Sequence, residues 1–165
     1  LLMALDGSDI DFSGLINNAL AKALKKGASS YLKYALQPYG AVFIAADFIG
    51  DKMTSVKLDA IHFESGSAEL HPKHDAYIDK IASLMNSRPS LTLSLCGESG
   101  AGDKLVLEQQ ESNEKQRDHS LIELAENRAN NLKRMLITEG VDSGRLLSCK
   151  PIVGSKNGDV VMLSL

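Results

Sequence analysis

Residues 120–140 carry both ends of a helix in their own sequence, and a cation stands in the middle of the face that this helix must bury. Ser120-Leu121-Ile122-Glu123 reads as a capping box and Gly140 falls where a left-handed C-cap belongs, so the spacing predicts a helix over 121–139. At 100° per residue, Leu121, Leu124, Ala125, Leu132, Met135 and Leu136 cover about 120° of arc, with Arg128 near its centre. A guanidinium facing a core needs an anion, because desolvating an unpaired charge is expensive. Two readings of Arg128 follow. In one it closes a structural contact with Glu98, Ser99 or Asp103 on the loop after a preceding strand, and in the other it waits in a cleft for an anionic ligand.

With 165 residues, 44% of them hydrophobic, the chain can bury one respectable core. The longest strongly apolar stretch, residues 40–50 (GAVFIAADFIG), holds Asp47 and is far shorter than the roughly 20 residues of a spanning helix. The first residue is Leu, and no charged segment leads into a cleavage site, so the chain reads as part of something longer. A net charge of −3 argues against general nucleic-acid binding. Between Phe12 and Ala46, however, Lys22, Lys25, Lys26 and Lys33 occur without a single acid, a local +4.

Those lysines lie opposite a helical rhythm of Phe12, Leu15, Ile16, Ala19, Leu20, Ala23, Leu24, Tyr31, Leu32, Ala35 and Leu36. A helix over 9–36 packed on the rest of the protein is the plain reading, and an interfacial membrane helix with a lysine face the sharper one. Residues 39–49 are expected to add a second short helix. The division expected is therefore a helical amphipathic extension over 1–52 and a mixed domain over 53–165.

Within that domain, residues 56–63 read as a strand whose phase slips between Ala60 and Ile61, as at a bulge. A turn at Glu64-Ser65-Gly66-Ser67 leads to Pro72, which suits the first turn of a helix that stops at Ser87-Arg88-Pro89. Leu91-Thr92-Leu93-Ser94-Leu95-Cys96 alternates cleanly and is a strand, parallel to the first if both share a sheet. Residues 97–102 read as a glycine-rich turn and 103–117 as an exposed, charged insert. Residues 146–153 and 160–165 read as two closing strands around a turn at 154–158. The fold class is α+β, in the order β-α-β-(insert)-α-β-β, with helices on a mixed sheet.

Catalytic and metal chemistry find little support. His71 and His74 stand one helical turn apart near His62 and Asp75, but no complete ligand set follows, so no metal is expected. There is no G-x-S-x-G elbow, and Gly97-Glu98-Ser99-Gly100-Ala101-Gly102 lacks the lysine of a phosphate loop. Glu64 and Glu69 lack a sugar-binding aromatic set, the chain having no Trp. No enzyme activity and no cofactor are expected. Cys96 and Cys149 read first as two small buried hydrophobes, with a disulfide as the alternative.

Several short stretches together resemble the OmpA-like domain found in outer-membrane porins, peptidoglycan-associated lipoproteins and flagellar stator proteins. Ile61-His62-Phe63 with Ser67-Ala68-Glu69-Leu70 is similar to its F-x-x-x-S-A-x-L opening, and Leu93-Ser94-Leu95-Cys96-Gly97 to the strand ending in G-H-T-D. Leu124-Ala125-Glu126-Asn127-Arg128-Ala129-Asn130-Asn131-Leu132 resembles L-S-x-x-R-A-x-x-V, and Gly140-Val141 and Arg145-Leu146 continue in register. The likeness covers about residues 56–165. It implies a non-catalytic periplasmic domain that holds the diaminopimelate of peptidoglycan through the motif arginine, here Arg128, and the motif aspartate. At that aspartate's position stands Gly100; Asp103 is three residues late, Leu121 replaces an asparagine and Ala125 a serine. These departures imply a degenerate pocket.

A second resemblance is to the tails of large AsmA-like envelope proteins of Gram-negative bacteria, which would make the parent membrane-anchored. The expectation is a periplasmic recognition or scaffolding module of a larger cell-envelope protein. Its partner is peptidoglycan or another envelope protein, and Arg128, Asp103, Glu98 and Ser99 form the candidate ligand site. One alternative is an intact peptidoglycan-binding domain in which Asp103 or Glu98 replaces the missing aspartate. Another is membrane-surface contact through Lys22, Lys25, Lys26 and Lys33.

Overall fold

The computed structural model describes residues 36–48 and 51–165. The lysine-bearing helix expected over 9–36, with Lys22, Lys25, Lys26 and Lys33, lies outside the described residues apart from Leu36. Leu36 is fully buried, and Tyr39 stacks on Tyr77 with ring centroids 4.1 Å apart.

Strand β1 (Ala41–Phe48) pairs antiparallel with β2 (Asp51–His62), from Ala41 opposite Leu58 to Phe48 opposite Asp51. This corrects the expected short helix over 39–49. A short apolar run carries no decisive period, and here the partner strand decides. Helix α1 (Asp75–Ser87) follows a single 3₁₀ turn at Pro72–His74. Then come β3 (Leu93–Ser99), α2 (Ala101–Gln110), α3 (Glu114–Thr138), β4 (Leu146–Ser148), β5 (Ile152–Val153) and β6 (Val160–Ser164).

The sheet runs β1-β2-β6-β3-β4, with β5 also against β3. β6 is antiparallel to both β2 and β3, so β2 and β3 run parallel with β6 between them. The last strands do not form the closing pair expected from the turn at 154–158. β4 and β5 pair parallel with β3, on the opposite side from β6. Cys149-Lys150-Pro151 also breaks the single strand expected over 146–153 into two.

A bulge sets the face of β2. Val56 and Leu58 point to the core, the register shifts between Leu58 and Ile61, and Ile61 and Phe63 then point the same way. Against this face pack Tyr77, Ile78, Ile81 and Met85 of α1 and Ala129, Leu132 and Leu136 of α3, forming one core with Leu93, Leu95, Val161 and Leu163.

Helix α3 starts earlier than its capping-box sequence suggests. Asn113 is the N-cap, its side chain accepting from the amides of Lys115 and Gln116, while the Ser120 hydroxyl donates to Glu111. The C-terminus is as expected: Val141 N–H donates to Leu136 O and Gly140 N–H to Ile137 O, with Gly140 at φ 95°. The segment read as a glycine-rich turn over 97–102 is instead the end of β3 running almost directly into α2.

Candidate functional site

Arg128 sits on α3, two turns along from the buried Leu121, and is itself 0% exposed. All five of its N–H donors are used. Nε donates to the Ser67 carbonyl at 2.8 Å. Nη1 donates to the Glu98 carbonyl at 3.0 Å and to Asp103 Oδ2 at 2.6 Å. Nη2 donates to the Glu64 carbonyl at 3.1 Å and to Asp103 Oδ1 at 2.7 Å. The guanidinium also lies 5.2 Å from the centre of the Phe63 ring. Of the two sequence readings, the structural ion pair is the one this geometry forms, in the bidentate arrangement that a planar fork and a carboxylate favour.

Asp103 is equally buried, which corrects its placement in an exposed insert. The displaced acid has a local cause. Position 100 is the N-cap of α2, and a Cβ there would meet Gly158 Cα at 2.8 Å and Asp159 Oδ1 at 2.9 Å. Position 103 is N3 of the same helix, and an N3 carboxylate reaches back over the N-cap, so Asp103 Oδ2 accepts from the Gly100 amide at 3.0 Å. The Gly66 amide donates to Oδ1 at 2.6 Å, from a turn whose φ of 78° favours glycine. Burial alone would raise the carboxyl's pKa; the hydrogen bonds with Arg128, with the Asp159 side chain and with the two amides outweigh it and hold it below the usual carboxylate value.

Glu98 joins the centre through its backbone carbonyl only, while its buried carboxylate faces Asn157 Nδ2 at 3.3–3.4 Å. Ser99 is buried beside it. Its carbonyl accepts from the Ser155 amide, and its hydroxyl has no hydrogen-bond partner among the described residues. Sequence reasoning missed the main-chain groups of Glu64, Gly66 and Ser67, as well as Asn131, whose side-chain amide donates to the Ala68 carbonyl at 2.8 Å and ties this loop to α3. The only available signal was the S-A-x-L stretch that fixes the loop.

A cavity of about 260 Å³ opens beside this centre, bounded by His62, Phe63, Glu64, Ser67, His71 and Lys73. It shares the 63–67 loop with Arg128, but Arg128 does not line it. The histidines have local duties: His71 Nδ1 accepts from the Lys73 amide, and His74 Nε2–H donates to the His62 carbonyl. No group of three or more His, Cys, Asp or Glu among the described residues is placed to hold a metal ion. Cys96 of β3 and Cys149, the residue after β4, form a disulfide, with Cα atoms 4.7 Å apart. Cys149 is exposed, so the reading of two buried free thiols is corrected.

The OmpA family model matches residues 62–156, more than half of the sequence. The chain belongs to the OmpA family. Solved structures share its fold. A MotB-like protein from Desulfovibrio vulgaris is 15% identical with a TM-score of 0.58, over 90% of this chain and 94% of that one. The OmpA-like domain of FopA1 from Francisella tularensis is 16% identical with a TM-score of 0.53, over 80% and 83%. The periplasmic domain of Helicobacter pylori MotB is 21% identical with a TM-score of 0.51, over 76% and 77%. No curated protein matches the chain.

Proposed function

We propose that this OmpA-family chain is a non-catalytic recognition or scaffolding domain of a larger periplasmic envelope protein, with its arginine centre closed in the resting fold. One observation carries the reading: every N–H of Arg128 is engaged and none of its surface reaches solvent. Such a side chain cannot take a second anion without giving up Asp103. The Asp103 carboxyl, held below its usual value, is not poised to move a proton near neutral pH.

The Cys96–Cys149 disulfide fits an oxidising compartment such as the periplasm. No helix among the described residues is long and apolar enough to cross a membrane. The test is a pull-down on purified peptidoglycan sacculi. The wild-type chain is expected in the supernatant, and retention would overturn the closed centre.

A second reading, peptidoglycan binding through diaminopimelate, is favoured by Asp103 returning a carboxylate to Arg128 despite the glycine at position 100. Under it the wild type is retained and Arg128→Lys, which keeps the charge but loses the fork, is not.

A further inference from the structure

Cys96 stands on the face of β3 turned away from the helices. Leu93 and Leu95 point into the core and Gly97 lies under α3, so the alternation of the strand puts Cys96 on the open side of the sheet, opposite Met162 of β6. Its disulfide partner Cys149 belongs to a run, residues 147–150, that is exposed throughout, with Leu147 at 51%. The bond therefore joins a half-buried residue on an inner strand to a residue at the surface.

The segment that follows Cys149 has little apolar anchorage. No residue of 147–159 is buried, and Ile152 and Val153, which pair with Glu98 and Ser99, are 44% and 41% exposed. The segment also meets a buried acid: the Glu98 carboxylate, on a side chain 3% exposed, faces the Asn157 amide at 3.3–3.4 Å, longer than an optimal hydrogen bond. Lifting the segment returns that carboxylate to water, which offsets part of the lost pairing.

We infer that the Cys96–Cys149 disulfide is a thiol–disulfide exchange site, entered at Cys149 by an external dithiol protein, and that its reduction releases residues 149–159 while the core stays folded. A thiolate of the dithiol attacks the Cys149 sulfur; the Cys96–Cys149 bond breaks, and Cys96 leaves as a thiolate that takes up a proton. The second thiol of the partner then displaces Cys149 from the mixed disulfide, its proton passing to Cys149. The partner gives up two electrons and becomes a disulfide, and the chain gains two thiols. Exposure selects Cys149 as the sulfur attacked, and the exposed Lys150 beside it favours the approach of a thiolate.

The test uses the intact, oxidised chain in buffer without denaturant. The probe is a thioredoxin-fold protein in which serine replaces the second cysteine of the C-x-x-C pair, so that a mixed disulfide persists. Peptide mass spectrometry is expected to find the adduct on Cys149. An adduct on Cys96, or none until denaturant unfolds the chain, overturns the proposal. In the chain reduced by dithiothreitol, the amides of 149–159 are expected to exchange hydrogen at least about tenfold faster, with those of α3 at 125–136 unchanged. Loss of protection that extends through α3, or none in 149–159, overturns the release. Neither measurement involves sacculi or the Arg128 centre, so its failure is distinguishable from failure of the closed-centre reading.

Discussion

Gly97 of β3 lies directly beneath Ala125 of α3: a Cβ at Gly97 would overlap the Ala125 carbonyl oxygen and stand 2.8 Å from its carbonyl carbon and 3.3 Å from the Ala129 methyl. The obstacle is backbone, which cannot rotate away as a side chain can. This close approach lets Arg128, one turn further along α3, reach the Glu98 carbonyl on the same strand. Gly97→Ala is therefore expected to cost about 1–3 kcal/mol through overpacking. Urea unfolding monitored by circular dichroism should show a lower midpoint at unchanged slope.

Arg128→Ala would leave the Asp103 carboxylate buried without its cation and would remove the guanidinium donor from the carbonyls of Glu64, Ser67 and Glu98. Breaking a buried pair from one side costs about 3–5 kcal/mol, so the variant is expected to be strongly destabilised or unfolded. Arg128→Lys keeps the charge but cannot reproduce five fixed donors, and should fall between it and the wild type. Equilibrium unfolding of the three proteins checks the order. A loss below about 1 kcal/mol for Arg128→Ala would place the group in water instead.

The buried arginine was legible because helical periodicity needs only the positions of neighbouring apolar residues, and Leu121, Ala125, Leu132 and Leu136 supply them. Its partner was legible only as one of three candidates, since which acid arrives depends on where α2 begins. Taking 97–102 for a turn hid that Gly100 is an N-cap and Asp103 its N3 residue. The strand β1 was missed because GAVFIAADFIG has neither clean alternation nor a helical stripe, and pairing with β2 resolves it. The early start of α3 was missed because residues 114–119 are all polar, leaving propensity and the Asn113 cap as the only signals. The disulfide is a tertiary fact, requiring β4 beside β3 in parallel register.

That disulfide closes a loop between residues separated by 53 positions, and the chain-entropy model assigns such a link about 4 kcal/mol. It anchors the start of the 149–159 segment, from which Ser155 and Asn157 reach Ser99 and Glu98. Cys96→Ser with Cys149→Ser, or the wild type under dithiothreitol, is expected to unfold at lower urea. The added hydrogen exchange should concentrate at the amides of 149–155. Equal midpoints in oxidised and reduced protein would remove the link's stabilising role.

Two titrations shape the acid limb of the stability curve, in separate windows. Asp103 is shifted up by burial but held lower overall by Arg128, so its folded pKa lies below the ordinary 3.8. Its contribution is complete above that value and is lost as the pH falls through the folded pKa. His74 is shifted below 6.5, chiefly by burial and further by Lys73, His62 and His71, against a raising bond to the His62 carbonyl. The unfolded chain therefore takes up that proton first, and stability declines as the pH falls from 6.5 through the folded value of His74. Unfolding free energies measured from pH 7.5 to 3 should show both declines. His74→Gln should flatten the upper one alone, and Asp103→Asn, at a lower overall stability, the lower one alone. A lower limb unchanged in Asp103→Asn would assign the acid sensitivity to other carboxylates.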